Sequence, residues 1–395
     1  MPGPLVGTSV VELASYLSGP YAAMLLADLG AEVIKVEEIQ AGDPFRGWDE
    51  HGYGSTFCAV NRNKRSIALN LKSEAGRKIL LQLTEWADVL IENLRPEAVE
   101  RLGLDYETIR KRNPRLVYSS ISGFGEAGPY RDWPGYDTVG QAMGGLLSLL
   151  TDRDDPTPVG ISLSDHITGI FACYGILAAL LARERTGQGQ RVATSLLQAT
   201  ASFVQEAAAR CFATGQAPER STRVGAAQVY AFIASDGLPF VVHLSSPRKF
   251  WEGLTAAIGR THWRDDPRFC DRRARIQQYD TLKGLLGEVF CQAARETWLV
   301  RLREHGVPCA PLRSIDEVFD DPQVQALGMP IELEHPRMGK VRLSGSGVSM
   351  SETPTEYRHA PPLLGEHTWD ILGELGYDVG DIERLEHDAV VRVST

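Results

Sequence analysis

Five short apolar runs in the first third of the chain, several of them separated by helical patterns, constrain the fold more than any other feature. Ser9 to Leu13, Ala31 to Glu37, IALNL from Ile67, ADVLIEN from Ala87 and LVYSSISGF from Leu116 are each rich in Val, Ile and Leu and short enough for buried strands. Gly19-Pro20 is expected to interrupt the backbone before the apolar helix Tyr21 to Leu29, and EAGRKILLQL from Glu74 supplies another helical pattern. Parallel strands cannot be joined by tight turns and need crossover connections, usually helical, so this alternation implies a parallel sheet. The expected class is therefore α/β, with a Rossmann-like large domain whose ligand approaches the carboxyl ends of the strands.

A length of 395 residues leaves room for a second, smaller α/β domain. Leu163 to Arg185 is helical in pattern, and VATSLLQATASFVQEAAARCF from Val192 reads as another long helix after the break at Gly187-Gln188-Gly189. Composition changes at Arg220 to Gly225. Beyond it VYAFIASDG and PFVVHL read as strands joined at Asp236-Gly237, Trp251 to Ile258 and Leu282 to Leu302 as helical, and Gly306 to Leu312 as a short strand. One more helix is expected from about His367 to Leu375. These divisions give a large domain over 1–220, a small domain over 221–330, and a segment over 331–395 that returns to the large domain.

Several function classes are disfavoured. A formal net charge of −10 offers no broad attraction for nucleic acid. The cysteines at 58, 173, 211, 270, 291 and 309 form no CxxC pair, the histidines no HExxH, and Asp152, Asp154 and Asp155 lack the spacing of an EF-hand loop, so no metal site is expected. MPGPLVGTSVVEL has no basic segment followed by a long apolar run, and the other apolar stretches are interrupted, so no membrane span and a cytoplasmic setting are expected. No GxGxxG follows the first strand, which disfavours NAD.

Asp165 follows GISLS and precedes the apolar helix ITGIFACYGILAALLA. An aspartate there either caps the helix or presents an ionised carboxylate to a thioester in the field of the helix N-terminus. His166, about 100° further round the helix, is not its catalytic partner. Gly144 and Gly145 either admit a bulky substrate or serve as a turn and packing break. Tyr136 lines an acyl pocket or is an aromatic wall. The cations of Asn61-Arg62-Asn63-Lys64-Arg65 either hold phosphates or decorate the surface, and Asn93, a neutral donor, with Arg95 and Arg101 either suits a pantetheine amide and phosphates or finishes a strand and decorates a helix. The HLSSP stretch, with His243, Ser245 and Ser246, either reads a second carboxylate or is a surface turn, as Arg248 beyond it is either an anchor or an exposed cation.

Taken in order, LSGP from Leu17, AEVIKVE with Gly42-Asp43, NKRSIALNLKS, ADVLIENLRP, VYSSISGFG, Gly160 to Asp165, RTGQGQRV, HGVPCAPL and PLLGEHT resemble the family III coenzyme A transferases over nearly the whole chain. The resemblance implies coenzyme A as acyl-CoA co-substrate, Asp165 as nucleophile, and coenzyme contacts at Leu17, Ser18, Leu71, Lys72, Asn93, Leu94 and Arg101. It also implies a homodimer of interlocked open rings. Oxalate-using members carry glutamine and alanine at the positions of Leu17 and Ser18 and a tetraglycine loop that this chain lacks, so a small dicarboxylic acid such as that of succinyl-CoA is the expected acyl group. Transfer within one mesaconyl-type diacid, 2-methylacyl-CoA racemisation and non-catalytic CoA binding are the alternatives. Racemase members have histidine where this chain has Tyr136, which removes the expected proton shuttle.

Overall fold

A computed structural model of the chain describes residues 2–48 and 54–394. It divides into two compact units: Met1–Leu147 with Pro158–Gln205 and Gln323–Thr395, and Ser148–Thr157 with Glu206–Pro322.

The first unit holds six parallel strands, β1 Ser9–Leu13, β2 Glu32–Glu38, β3 Lys64–Leu69, β4 Val89–Glu92, β5 Val117–Ser122 and β6 Arg191–Ser195. They lie in the order β3-β2-β1-β4-β5-β6, and Val391–Arg392 adds an antiparallel edge beside β3. The chain builds outward from β1 in one direction and then from β4 in the other. The two strands that flank this reversal open a crevice beyond their carboxyl ends.

Alternation along the strands explains why both faces are covered, since successive side chains point to opposite sides. Val10, Val33, Val89 and Ile91 pack with α1 (Ser18–Asp28) and a later helix on one face, while Val11, Ile34, Leu90 and Tyr118 pack with Ile79, Leu80 and Leu83 on the other. The crossover helices are α1, α2 Ser55–Val60, α3 Glu74–Trp86, α4 Pro96–Leu102 and α5 Tyr106–Arg112. Beyond β5 come α6 Asp137–Met143, α7 Leu163–Thr186 and α8 Leu196–Phe203. Among the described residues α7 is the one helix long and apolar enough to cross a bilayer by length and composition. Its Ala172, Ile176 and Ala179 are in the core beside the sheet.

Three local expectations change. Gly19-Pro20 does not interrupt the chain: both residues lie inside the first turn of α1, where a missing N–H costs nothing because first-turn donors lack helical partners. The segment from Val192 is not one helix, because RVATS pairs with β5 as β6 and Ser195 then caps α8, its Oγ accepting from Gln198 N at 3.0 Å. Beyond Gln323 the chain forms the hairpin Pro330–His335 with Gly339–Ser344, the helix Thr368–Glu374 and a further helix, Val379–His387.

The second unit has three antiparallel strands, β7 Val229–Ile233, β8 Pro239–His243 and β9 Cys309–Pro311. Gly237, at φ +76°, takes the left-handed turn between the first two. Their inner residues Tyr230, Phe240 and Val242 pack on Trp251, Leu286, Phe290 and Trp298 from the helices Arg248–Ala257, Tyr279–Phe290 and Arg295–Glu304.

Candidate active site

Asp165 is the third residue of α7, a helix whose first residue follows Ser162 without a side-chain cap. The Asp165 carboxylate is not the cap either. Its backbone N–H is taken by Asp137 Oδ1 at 3.1 Å, from the start of α6, leaving the Asp165 side chain half-buried beside the Ser18 hydroxyl. Gln141, one turn along α6 and fully buried, donates to Asp137 Oδ2 at 2.6 Å and to the Ile161 carbonyl at 3.1 Å, tying α6 to the segment that enters α7.

Glycines make these approaches possible. A Cβ on Gly140 would lie 2.3 Å from Ser164 Oγ, and one on Gly144 would lie 2.6 Å from Thr200 Cβ, so α6 sits flush against α7 and α8 along this pair. Gly144 thus has a role in helix packing, and Gly145 takes a positive φ of 81° in the following turn. On the other side, a Cβ on Gly169 would come within 2.8 Å of the Ser18 carbonyl, which lets the start of α1 reach α7 one turn after Asp165.

The electrostatics follow from this packing. Burial, and after it the Asp137 carboxylate, push the Asp165 carboxyl up to about 6, while the Ser18 hydroxyl opposes the rise. His166 takes no part: its Nδ1 lies 2.7 Å from the Ser162 carbonyl and its ring 4.9 Å from that of Tyr21. Tyr136, the residue before Asp137, is 62% exposed and sets its ring edge against Tyr16, centroids 5.8 Å apart; Tyr16 in turn packs on Phe45 at 5.5 Å and Trp48 at 6.3 Å.

A cavity of about 560 Å³ opens at the carboxyl ends of β1 to β4. Leu71, Lys72, Leu94 and Arg101, all singled out from the sequence, line it together with Arg77 and Ala14. Arg77 was missed; its Nη1 donates to the Lys72 carbonyl at 3.0 Å from the first turn of α3, behind the Ser73 cap. Leu17, Ser18 and Asn93 do not line this cavity. Leu17 is buried with Met24, Phe45, Phe57 and Val60, and Asn93 uses both ends of its amide on Ser15, accepting from its N–H at 3.0 Å and donating to its carbonyl at 2.8 Å.

The cations of the 61–65 segment are not phosphate ligands in this structure. Arg62 pairs with Asp28 at 2.6 Å, Lys64 with Glu12 at 2.7 Å, and Arg65 with Glu32 at 2.6 Å and Glu374 at 2.8 Å. In the second unit His243 ends β8, and Ser245 and Ser246 follow it; Ser245 has φ +52° and its carbonyl accepts from Gln228 Nε2 at 2.9 Å. Arg248 is exposed and pairs with Glu252 at 2.8 Å one turn along its helix. Asp152 and Asp155 face each other across a turn, and among the described residues no group of His, Cys, Asp and Glu is placed to hold a metal ion.

The model of CoA-transferase family III matches residues 5–368, a span that includes the cavity, Asp165 and most of both units. The chain belongs to that family. As a family III CoA-transferase it is 36% identical to the succinyl-CoA:glutarate CoA-transferase of Mus musculus over 98% of this chain and 90% of the relative. It is 39% identical to the acetyl-CoA:oxalate CoA-transferase of Acetobacter aceti over 91% and 93%, and 35% identical to the succinyl-CoA:mesaconate CoA-transferase of Haloarcula marismortui over 98% and 100%. A solved CAIB/BAIF family protein from Brucella suis superposes with a TM-score of 0.86 at 34% identity, covering 95% of this chain and all of that one. The enzyme thus acts on acyl-CoA and small carboxylic acids.

Proposed function

We propose that this CoA-transferase moves CoA from a small dicarboxylic acyl-CoA, with succinyl-CoA as the type, to a second carboxylic acid, and that Asp165 is its nucleophile. The observation that carries the nucleophile is the half-buried carboxylate in the first turn of α7, beside the Ser18 hydroxyl, with the Asp165 backbone N–H taken by Asp137. With its pKa near 6 the group is roughly nine-tenths ionised at pH 7, yet more basic, and so more nucleophilic, than an exposed aspartate.

In this reaction an Asp165 carboxylate oxygen attacks the thioester carbonyl, the C–S bond breaks, and CoA leaves as thiolate from an acyl-aspartyl anhydride. The thiolate attacks the Asp165 carbonyl and expels the donor acid as its carboxylate, leaving CoA on Asp165 as a thioester. The acceptor carboxylate displaces the thiolate to form a second anhydride, and thiolate attack on the acceptor's acyl carbon releases the new acyl-CoA and restores Asp165. Each step exchanges one acyl bond for another, so no ATP is needed. Lys72, Arg77 and Arg101 at the cavity offer cations to the coenzyme's phosphates, with Leu71 and Leu94 as apolar walls.

The dicarboxylic reading is supported by relatives whose names pair succinyl-CoA with glutarate, mesaconate or D-citramalate. Succinyl-, mesaconyl-, acetyl- and formyl-CoA should be competed against a panel of free acids, with every new thioester read by mass. Preference for succinyl or mesaconyl donors is expected; acetyl- or formyl-CoA with oxalate outrunning every such pair would overturn the substrate assignment. Homodimerisation belongs to the same proposal, supported by the outward stripe of Ile170, Tyr174 and Leu181 on α7, more than half exposed in the single chain.

A further inference from the structure

The NKRS stretch that does not reach the cavity has a different task. Lys64 Nζ, without solvent exposure, donates to the Pro20 carbonyl at 2.8 Å and to Asn61 Oδ1 at 2.7 Å, and pairs with Glu12 at 2.7 Å. Lys35, on the neighbouring strand and equally buried, takes the other Glu12 oxygen at 2.6 Å, pairs with Asp43 at 2.9 Å and donates to the Ala14 carbonyl at 2.9 Å. Asp43 Oδ1 accepts from Tyr16 N at 3.3 Å, and Asn93 holds Ser15 at both N–H and carbonyl. The loop between β1 and α1 is therefore gripped at Ala14, Ser15 and Tyr16, and the first turn of α1 at Pro20, on both sides of Ser18.

Such a grip has a physical reason. Tyr16 sits at φ +65°, a region that a residue with a Cβ enters only when its surroundings enforce it. Buried charges are costly unless fully paired, and here Lys64 and Lys35 share Glu12, with Asp43 completing Lys35 and Arg46 neutralising nearby Glu37.

We propose that Lys64 is a positioning residue of the transfer reaction: through Glu12 and the Pro20 carbonyl it fixes the start of α1 so that Ser18 stays beside Asp165, across the α1–α7 approach at Gly169. The inference rests on Asp165 as nucleophile. Burial, with Lys35 alongside, presses the Lys64 ammonium down to about 8 against the pull of Glu12. The groups facing Asp165 are Ser18 and Asp137, and those facing Lys64 are Glu12, Lys35, Asp43 and Asn61.

The test is the acid limb of kcat/KM for CoA exchange, measured in wild type, Ser18→Ala, Lys64→Met, Lys64→Gln and the double variant Ser18→Ala/Lys64→Met. Loss of the Ser18 hydroxyl, which opposes the rise at Asp165, should move the limb upward by about one pH unit, the scale of a hydrogen bond to a charged group. Lys64→Met should move it in the same direction, Lys64→Gln less because its amide still offers a donor to Pro20, and Lys64→Met should add nothing once Ser18 is gone. A limb unmoved by Lys64→Met, or moved equally with and without Ser18, overturns the proposal. Should Lys64→Met not fold, Glu12→Gln, which removes the carboxylate that Lys64 and Lys35 share, must shift the limb upward in its place, and an unshifted limb again rejects the idea. Exchange that survives Asp165→Ala rejects the underlying reading instead, so the two failures are separable.

Discussion

Asp165 carries two opposite consequences of one environment. Because burial and Asp137 raise its pKa to about 6, kcat/KM should rise with pH through that region as the carboxylate ionises, and level off above it. A profile flat down to pH 4.5 would show that the reacting group lies elsewhere. The same shift bears on stability. A carboxyl whose folded pKa exceeds its unfolded value contributes stability below about pH 4 and loses that contribution as pH rises through about 6, so at neutral pH ionised Asp165 costs on the order of 2 kcal/mol. Asp165→Asn should therefore raise the thermal midpoint at pH 7.5 by a few degrees and give no gain near pH 4, as a thermal melt series would show. The place of Asp165 before an apolar helix left cap and nucleophile both open, and only the family resemblance pointed to the nucleophile. Its neighbours were not legible as neighbours: Asp137 and Ser18 come from separate elements, and only the folded chain brings them to one carboxylate. Ser18 was picked out for the coenzyme rather than for Asp165, and Asn93, marked as a donor, spends its amide on Ser15.

At the scale of elements, the site depends on helices meeting where glycine permits. Gly169→Ala would drive a methyl into the Ser18 carbonyl and the Tyr21 ring, pushing α1 off α7. We expect a loss of about 1–3 kcal/mol by denaturant unfolding, with kcat falling more than KM rises because Ser18 is moved from Asp165. Unchanged kcat in a folded Gly169→Ala protein would disconnect the α1–α7 contact from the chemistry. The strands were readable because two-sided burial writes near-continuous apolar runs into β1 to β5. β6 was not, because RVATS at the sheet edge is largely uncovered and runs directly into a helix with only the Ser195 cap between them. The hairpin of Pro330–His335 and Gly339–Ser344 alternates Ile331, Glu332, Leu333 and Glu334, but its weak burial leaves little apolar signal. The cationic 61–65 segment looked like surface or a phosphate site because charge in sequence says nothing of a buried counter-charge supplied by β1 and α1.

For the molecule as a whole, the order β3-β2-β1-β4-β5-β6 places a crevice at the β1–β4 reversal, and the cavity lined by Leu71, Lys72, Leu94 and Arg101 lies at those strand ends. Family membership fixes the class of reaction; the covalent role of Asp165 is the claim on which the mechanism stands. The most direct measurement is to incubate the enzyme with succinyl-CoA and an acceptor acid, quench turnover with hydroxylamine, and map the modified peptide by mass. The account predicts a hydroxamate on Asp165, formed only when acyl-CoA is present and absent from Asp165→Ala. Modification of a different residue, or steady turnover by Asp165→Ala, would contradict it.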